Sequence, residues 1–486
     1  MHAANRAGVA EDRTRPSRPA DRVYDLIVIG GGAAGLAAAR AGAAAQARTL
    51  LVSEGEIGGE CTFTGCVPSK TLIEAAARGA TFAAAIAAVR KVVAAIAATE
   101  TAAVLEHEGI EVLRGHAAFT SPQQVTVDGR VLRGRGFVLA TGSRPAIHSV
   151  PGLVGVPYLT NEDFFDLAEL PASLAILGGG AVGCELAQAL HRLGSQVTVM
   201  ESASRLLPGA DPAAATVIDQ VFAVEGITVR TGTGVAEVMP KDRGILLRRG
   251  DASEVASSHL LIATGRTPVT DGLGLDNAGV RVNEGGAVVT DRHLGTTAPG
   301  VYAAGDVTGL MPFTHAAYAM GRVSARNALR KRWAPPGTFS TRAIPWVVFT
   351  DPEIAQVGMT EHQAATRVGG ARVAYLPMQE VDRAVTAERT EGFIKIIAGP
   401  HRVTGRFGGG QVLGATVVAS RAGEMIGELA LAMRTGMFTG RLAQTTHAYP
   451  TWSLGIQQAA AQFFGEYGGR TARPARAGDL PPSASD

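Results

Sequence analysis

One pattern is written twice in this chain, and it constrains the fold more than any other feature. The first copy is YDLIVIGGGAAGLAAARAGAAAQARTLLVSE, starting at Tyr24; the second is SLAILGGGAVGCELAQALHRLGSQVTVMES, starting at Ser173. Each runs from an apolar segment through a glycine turn and an alanine-rich helix to a second apolar segment with an acidic end. That order predicts a βαβ unit, and two such units predict two dinucleotide sites. In the first, Gly30, Gly32 and Gly35 form G-x-G-x-x-G, and Glu54 closes the second strand. The first glycine permits a tight turn, the second lets backbone approach a pyrophosphate, and the third lets helix pack on strand. The helix N-terminus then supports the phosphate charge, and Glu54 accepts from a ribose. In the second, Gly178, Gly180 and Gly183 are followed by Glu201. A glutamate there bonds the adenosine ribose and repels a 2′-phosphate, which favours NADH; nearby Arg205 keeps NADPH possible.

With 486 residues the chain is too long for one core and suggests about three domains of roughly 150 residues each. Residues 71–108 read as one long alanine-rich helix. Residues 111–141 read as short strands ending in FVLATGSRP, and LLIATGRTP closes a similar segment after the second unit. From Ile344 the texture changes to apolar strands and later helices, the pattern of an α+β domain. A formal net charge of +2 gives no reason to expect nucleic acid as a partner. The longest apolar run, FAAAIAAVRKVVAAIAA, is broken by Arg90 and Lys91, so no membrane span is expected. The N-terminal stretch lacks an apolar signal core, which places the chain in a reducing cytoplasm.

The chain has three cysteines, Cys61, Cys66 and Cys184. A close pair in a reducing compartment is more often catalytic, redox-active or metal-binding than part of a disulfide scaffold. Cys61 and Cys66 lie in GGECTFTGCVPSK, between the first βαβ unit and the predicted long helix. Helix N-termini lower thiol pKa values. Five helical residues rise about 7.5 Å, so a bridged pair demands a distorted first turn, which Gly65 permits. A zinc site or two unrelated buried thiols are the other readings. Zinc needs four ligands, and no further Cys or His lies close in sequence, so no metal site is expected. Cys184 reads as a small core residue of the second helix.

GGECTFTGCVPSK resembles the active-site segment of the class I pyridine nucleotide-disulfide oxidoreductases, the family of dihydrolipoamide dehydrogenase, glutathione reductase and mercuric reductase. The resemblance runs from about Tyr24 to Tyr467. It includes Ala140-Thr141-Gly142, Ala263-Thr264-Gly265-Arg266-Thr267-Pro268, Gly305-Asp306 and the TDPEIAQVGMTE segment. It implies an α/β fold of two Rossmann-like dinucleotide-binding domains plus a C-terminal α+β dimerisation domain. The implied parts are a flexible tail over 1–21, FAD-binding segments over 22–150 and 271–338, an NAD(P)-binding domain over 151–270, a dimerisation domain over 339–467 and a second tail over 468–486. It also implies a homodimer with a shared active site, Asp306 on the FAD ribitol, and a helix starting at Thr314-His315 that faces the flavin. Cys66 is then the thiol that contacts the flavin, Cys61 the outer interchange thiol, and Lys70–Glu185 the ion pair beside flavin N5. Electrons pass from NAD(P)H through FAD to a redox-active Cys61–Cys66 disulfide and on to an acceptor.

The resemblance breaks at one place. The family's disulfide reductases carry an H-P-T-x-x-E motif whose histidine serves as acid–base. This chain reads His447-Ala448-Tyr449-Pro450-Thr451-Trp452-Ser453-Leu454. Tyr449 stands at the base position, Leu454 at the glutamate position, and His447 two residues early. Tyrosine titrates near 10 and histidine near 6.5, and disulfide exchange needs a proton for the leaving thiol. Mercuric reductases carry a similar Tyr-x-Thr frame, but usually end in a Cys-Cys pair that is missing here. Glu60 and Phe63 also replace the family's usual threonine and asparagine. The expected activity is a mercuric-reductase-like reduction of a metal ion or small molecule such as a quinone. The alternatives are a disulfide reductase relaying protons through Glu60 or Tyr449, and a non-catalytic flavoprotein redox sensor.

Overall fold

The computed structural model describes residues 23–242, 244–401 and 403–478. The first glycine unit folds into a sheet whose central strands are parallel. Strand Val23–Ile29 is flanked by Thr49–Ser53 and Arg130–Leu139; Ile110–Arg114 extends the sheet beyond Thr49–Ser53. Val301–Ala303 returns much later in the chain to pair in parallel with Arg130–Leu139. Strand Val23–Ile29 is almost wholly buried because helices cover it, as parallel sheets require. Helix α1 (Ala33–Ala44) covers one face and packs on helix Thr314–Ala328. Gly321 permits that approach: a Cβ there would lie 2.1 Å from the Ala34 carbonyl oxygen.

The second glycine unit forms its own parallel sheet, ordered Thr228–Arg230, Gln196–Met200, Ser173–Leu177, His259–Ile262. Two short antiparallel strands, Ser143–Pro145 and Arg266–Pro268, tie the two units together. A six-stranded antiparallel sheet follows from Trp346, with helix Ala422–Arg434 packed on it. This is the two-Rossmann-unit plus α+β architecture expected.

Two expectations need correction. Residues 71–108 are not one helix. After α2 (Gly59–Phe63), helix α3 (Cys66–Ala77) stops before Gly79, whose φ is +70°. Thr81 then caps α4 (Phe82–Ala97), and Thr101 caps α5 (Ala102–His107), each hydroxyl accepting from a backbone N–H three residues on. The stretch Phe82–His107 is long and apolar enough by length and composition to cross a bilayer, but it is interrupted before Thr101, and Phe82, Ala85, Ile86 and Val89 are buried. The C-terminal tail is also not free from 468. Arg473–Pro474 adds an edge strand to Arg372–Pro377, and Arg473 pairs with Glu361, so charge and backbone bonding hold this segment down. The expected tail over 1–21, and residues 479–486, lie outside the described residues.

Candidate active site

The glycines of each fingerprint divide into two kinds. A Cβ on Gly30 would lie 2.2 Å from the Ala140 oxygen, and one on Gly35 would lie 1.8 Å from the Gly30 oxygen. These two glycines are required by packing. A Cβ on Gly32 would meet only the Gly59 Cα, at 4.0 Å. The second unit repeats this: Gly178 and Gly183 are closed by Ala263 and Gly178 oxygens at 2.3 and 1.9 Å, while Gly180 has nothing within 4 Å. Helices α1 and α6 (Ala181–Arg192) both start without a side-chain cap. Their first amides therefore face open space at the glycine that allows close approach, a cradle suited to pyrophosphate.

The Gly32 cradle opens into a cleft of about 660 Å³. Gly30, Gly32, Glu54, Thr141, Gly142, Asp306 and Thr314 line it, as do Cys61, Cys66, Lys70 and Glu185. Gly35 sits behind it in the helix–strand contact. Gly178, Gly180, Gly183, Glu201 and Gly265 belong to the second unit and lie outside this cleft. His315 also lies outside: its Nε2 is 2.5 Å from the Pro345 oxygen, and its ring stacks on Phe313. Glu54 is exposed and faces His116 Nδ1 at 3.1 Å. Glu201 is turned onto its own loop, accepting from the amides of Gly179 and Ala203 at 2.8 Å each. Arg205 donates to the carbonyls of Pro208 and Ala210.

The two thiols meet because the helix between them is broken. Cys61 lies in α2, and Cys66 is the first residue of α3. Gly65 makes the break possible, since a Cβ there would lie 2.9 Å from the Glu60 oxygen and 3.3 Å from the Cys61 Cα. Both cysteines are free thiols. The Thr314 hydroxyl lies 3.2 Å from Cys61 Sγ and 3.3 Å from Cys66 Sγ, and its single proton serves one sulfur at a time. The Cys61 thiol pulls Cys66 down to about 6 by hydrogen bonding; Lys70 and Thr314 act in the same direction, and burial opposes them. Cys61 is pushed up by that hydrogen bond and by burial. Cys66 is thus the thiolate and Cys61 the proton-bearing partner. Cys184 is fully buried with a raised pKa, as its core position predicts.

Lys70 Nζ sits 2.6 Å from Glu185 Oε2. Glu60, set beside Cys61 in sequence, is taken by the other unit: Asn161 Nδ2 donates at 2.8 Å and Arg266 forks onto its carboxylate. Arg266 also donates to the Ser143 hydroxyl at 2.7 Å, and that hydroxyl donates to Asp306 Oδ2 at 2.7 Å. Sequence reasoning missed Arg266, although it lies inside the ATGRTP motif; no local signal marks its partner, which is 206 positions away.

Tyr449 is 71% exposed and donates to Asp382 at 2.9 Å, a bond that raises its pKa. Leu454 opens helix Leu454–Ala461. His447 does face a glutamate, but a different one: Nε2 is 3.0 Å from Glu428 Oε2, and Nδ1 is 3.0 Å from the Thr445 carbonyl. Two acceptors around one ring call for two N–H donors, so the site favours imidazolium and the His447 pKa is raised. Among the described residues no group of three or more His, Cys, Asp or Glu is placed to hold a metal.

Two uncapped dinucleotide cradles, a thiolate–thiol pair at a helix N-terminus in the first cleft, and a C-terminal antiparallel sheet define a nucleotide-dependent dithiol oxidoreductase. Residues 24–321 match the family model described as pyridine nucleotide-disulphide oxidoreductase, and 344–460 match that family's dimerisation domain; the chain belongs to this family. It is 36% identical to a dihydrolipoyl dehydrogenase of Thermus scotoductus, over 90% of this chain and 97% of that one. It is 37% identical to a mercuric reductase of Streptomyces lividans, over 90% and 96%. Among solved structures it resembles the Cu(II) complex of the HOCl-induced flavoprotein disulfide reductase RclA of Escherichia coli, with TM-score 0.82, 30% identity and coverage of 90% and 99%. It resembles LpdA of Mycobacterium tuberculosis to the same TM-score at 32% identity, covering 90% and 100%. The family uses FAD and NAD(P), and the dimerisation domain supports a homodimer. The open Gly32 cradle, the uncapped α1 and the cleft fit FAD in the first unit; the Gly180 cradle fits the nicotinamide nucleotide in the second.

Proposed function

We propose that this protein is an NAD(P)H-dependent dithiol oxidoreductase that reduces a thiol-binding metal ion or another small acceptor, in the manner of mercuric reductase. The observation that supports this most is Tyr449. A phenol already donating to Asp382, with its pKa raised, is a poor proton carrier for disulfide exchange near neutral pH. His447 is spent on Glu428, and Glu60 on Arg266 and Asn161. A metal ion held by two sulfurs accepts an electron pair without protonation of a leaving thiol. The site supplies a ready thiolate, Cys66, and a second sulfur, Cys61, on a shared threonine hydroxyl.

The flavin, when bound, carries the electron pair between nicotinamide and thiols. The protein's part is to hold charge and protons. Lys70 faces the Cys66 thiolate with favourable charge, and Glu185 fixes the ammonium. Glu201 favours NADH, since a second negative charge at the 2′ position would meet its carboxylate. In this reading the protein works in the reducing cytoplasm as a homodimer whose active site is shared between subunits, each presenting Tyr449 to the other's thiols.

The experiment is steady-state NADH oxidation with Hg(II) in excess thiol, Cu(II), quinones, lipoamide and glutathione disulfide as separate acceptors. Vigorous lipoamide or glutathione turnover would overturn the reading. The similarity to dihydrolipoyl dehydrogenase favours a second reading, a disulfide reductase with its own proton relay. Under that reading, Tyr449→Phe abolishes disulfide turnover and leaves reduction by NADH intact.

A further inference from the structure

Three charged groups meet in the cofactor cleft: Glu60 from the thiol segment, Arg266 from the strand that ties the two units, and Asp306. One guanidinium thus stands between two carboxylates. Its Nε end is pinned, donating 2.7 Å to the Ser143 hydroxyl, and Nη2 donates 2.8 Å to the Ser143 carbonyl. Its Nη atoms fork onto Glu60, with Nη1 to Oε1 at 2.6 Å. The Nε atom is still only 3.7 Å from Asp306 Oδ2. The one hydrogen bond to the Asp306 carboxylate comes from Ser143, onto Oδ2; Oδ1 accepts from no protein group among the described residues. Asp306 therefore enters the cleft with an acceptor free for a ligand hydroxyl.

We propose that Glu60 is a positioning residue for cofactor binding: it draws Arg266 away from Asp306 and so leaves Asp306 open to the hydroxyls of the FAD polyol chain. Without the Glu60 carboxylate, Asp306 is the nearest acid to the guanidinium. A movement of about 1 Å brings the two to charge-assisted hydrogen-bond distance. A guanidinium released from Glu60 can then fork onto both Asp306 oxygens, including the Oδ1 that the polyol needs. Asn161, donating to the same Glu60 oxygen at 2.8 Å, keeps the carboxylate turned toward Arg266. Glu60 is half-buried, and burial raises its pKa against the opposing pull of Arg266, so the pair exists because each partner compensates the other.

The test is FAD binding to the cofactor-stripped full chain, followed by quenching of flavin fluorescence, with no nicotinamide or acceptor present. It is therefore independent of the acceptor proposed above. E60A is expected to weaken FAD binding by about tenfold, and E60A/R266M to return it to within about threefold of the parent, because the competing guanidinium is gone. A double variant as weak as E60A, or an E60A that binds like the parent, overturns the proposal. If E60A does not fold, E60Q and E60Q/R266M carry the same comparison, with the same two outcomes deciding it.

Discussion

Lys70 Nζ lies 2.6 Å from Glu185 Oε2, an ion pair set between the helix that starts at Cys66 and the helix that starts at the second glycine cradle. Glu185 is 4% exposed, and its other oxygen accepts from the Phe349 amide at 2.8 Å. The ammonium also lies 4.7 Å from the centre of the Phe349 ring. The charge beside the thiolate is therefore fixed by three elements distant in sequence: the thiol helix, the second unit and the C-terminal domain.

That arrangement predicts the reactivity of Cys66. Its pKa of about 6 rests first on the Cys61 hydrogen bond and then, against burial, on Lys70. Lys70→Met removes an opposite charge, and losing such a neighbour raises a thiol by roughly 1–3 pH units. Alkylation of Cys66 by iodoacetamide, followed against pH, should show its midpoint move upward. At pH 7 the rate should fall by about tenfold for a rise of about 2 pH units. An unchanged midpoint would show that Cys61 alone holds the thiolate.

His447 predicts a stability that depends on pH. Its folded pKa is above 6.5: burial lowers it, but Glu428 and the Thr445 carbonyl more than offset this. A raised folded pKa means that the charged pair stabilises fully below about pH 6.5 and loses that contribution as pH rises through the folded value. The His447 side chain is 9% exposed and Glu428 28%, so screening is partial. His447→Gln should destabilise by roughly 1–3 kcal/mol at pH 6, with the gap to the parent closing at high pH. Thermal unfolding of parent and variant across pH 6–10, about the range the linkage spans, measures it. A gap that widens with pH contradicts the imidazolium assignment.

A second buried network carries the largest stability effect. Lys395 lies 2.9 Å from Asp211 and 3.3 Å from Glu361, and all three are at most 12% exposed at the side chain. Asp211 caps the helix Pro212–Glu225 of the second unit, so Lys395 fastens that unit to the C-terminal sheet. Lys395→Met leaves the buried Asp211 carboxylate without its cation, while Glu361 keeps Arg473, and an uncompensated buried charge costs about 3–5 kcal/mol. Lys395→Met/Asp211→Asn should recover part of that loss, since the unpaired charge is removed as well. Chemical denaturation of the three proteins separates a lost pair from lost packing: an equal loss in single and double variants would assign the effect to packing.

The local patterns were legible where one segment carried the whole physical requirement. The glycine spacing at 30–35 and 178–183 fixed strand, turn and helix because backbone contacts closer than a Cβ allows are local consequences of the turn. The Cys61–Cys66 segment announced a distorted helix start, and Gly65 is where the distortion lies. The alanine-rich run reads as one helix because hydrophobic periodicity is blind to a cap, and it is Thr81 and Thr101 that divide it. Long-range pairs were not legible. Arg266 with Glu60, His447 with Glu428, and Arg473 with Glu361 join elements whose proximity is decided by packing, and no spacing in the chain announces them.

Tyr449 supplies the most direct prediction about activity. If the acceptor needs no protonated leaving thiol, restoring the proton-transfer pair should create disulfide turnover that the parent lacks. Tyr449→His places imidazole beside Pro450, and Leu454→Glu places a carboxylate at the start of the helix Leu454–Ala461. The Asp382 contact to Tyr449 lies on an exposed surface, so its loss should cost little stability. General acid–base catalysis contributes about 10²–10⁴-fold, so lipoamide or glutathione disulfide reduction by Tyr449→His/Leu454→Glu should rise at least about tenfold over the parent. The gain should follow a histidine-like pH profile and vanish in Cys61→Ser, since the interchange thiol remains necessary. Metal reduction should change by less than about threefold, a difference too small to implicate a catalytic proton. A parent that already reduces disulfides rapidly, with no gain in the double variant, would show that this site moves protons by a route other than the one Tyr449 replaced.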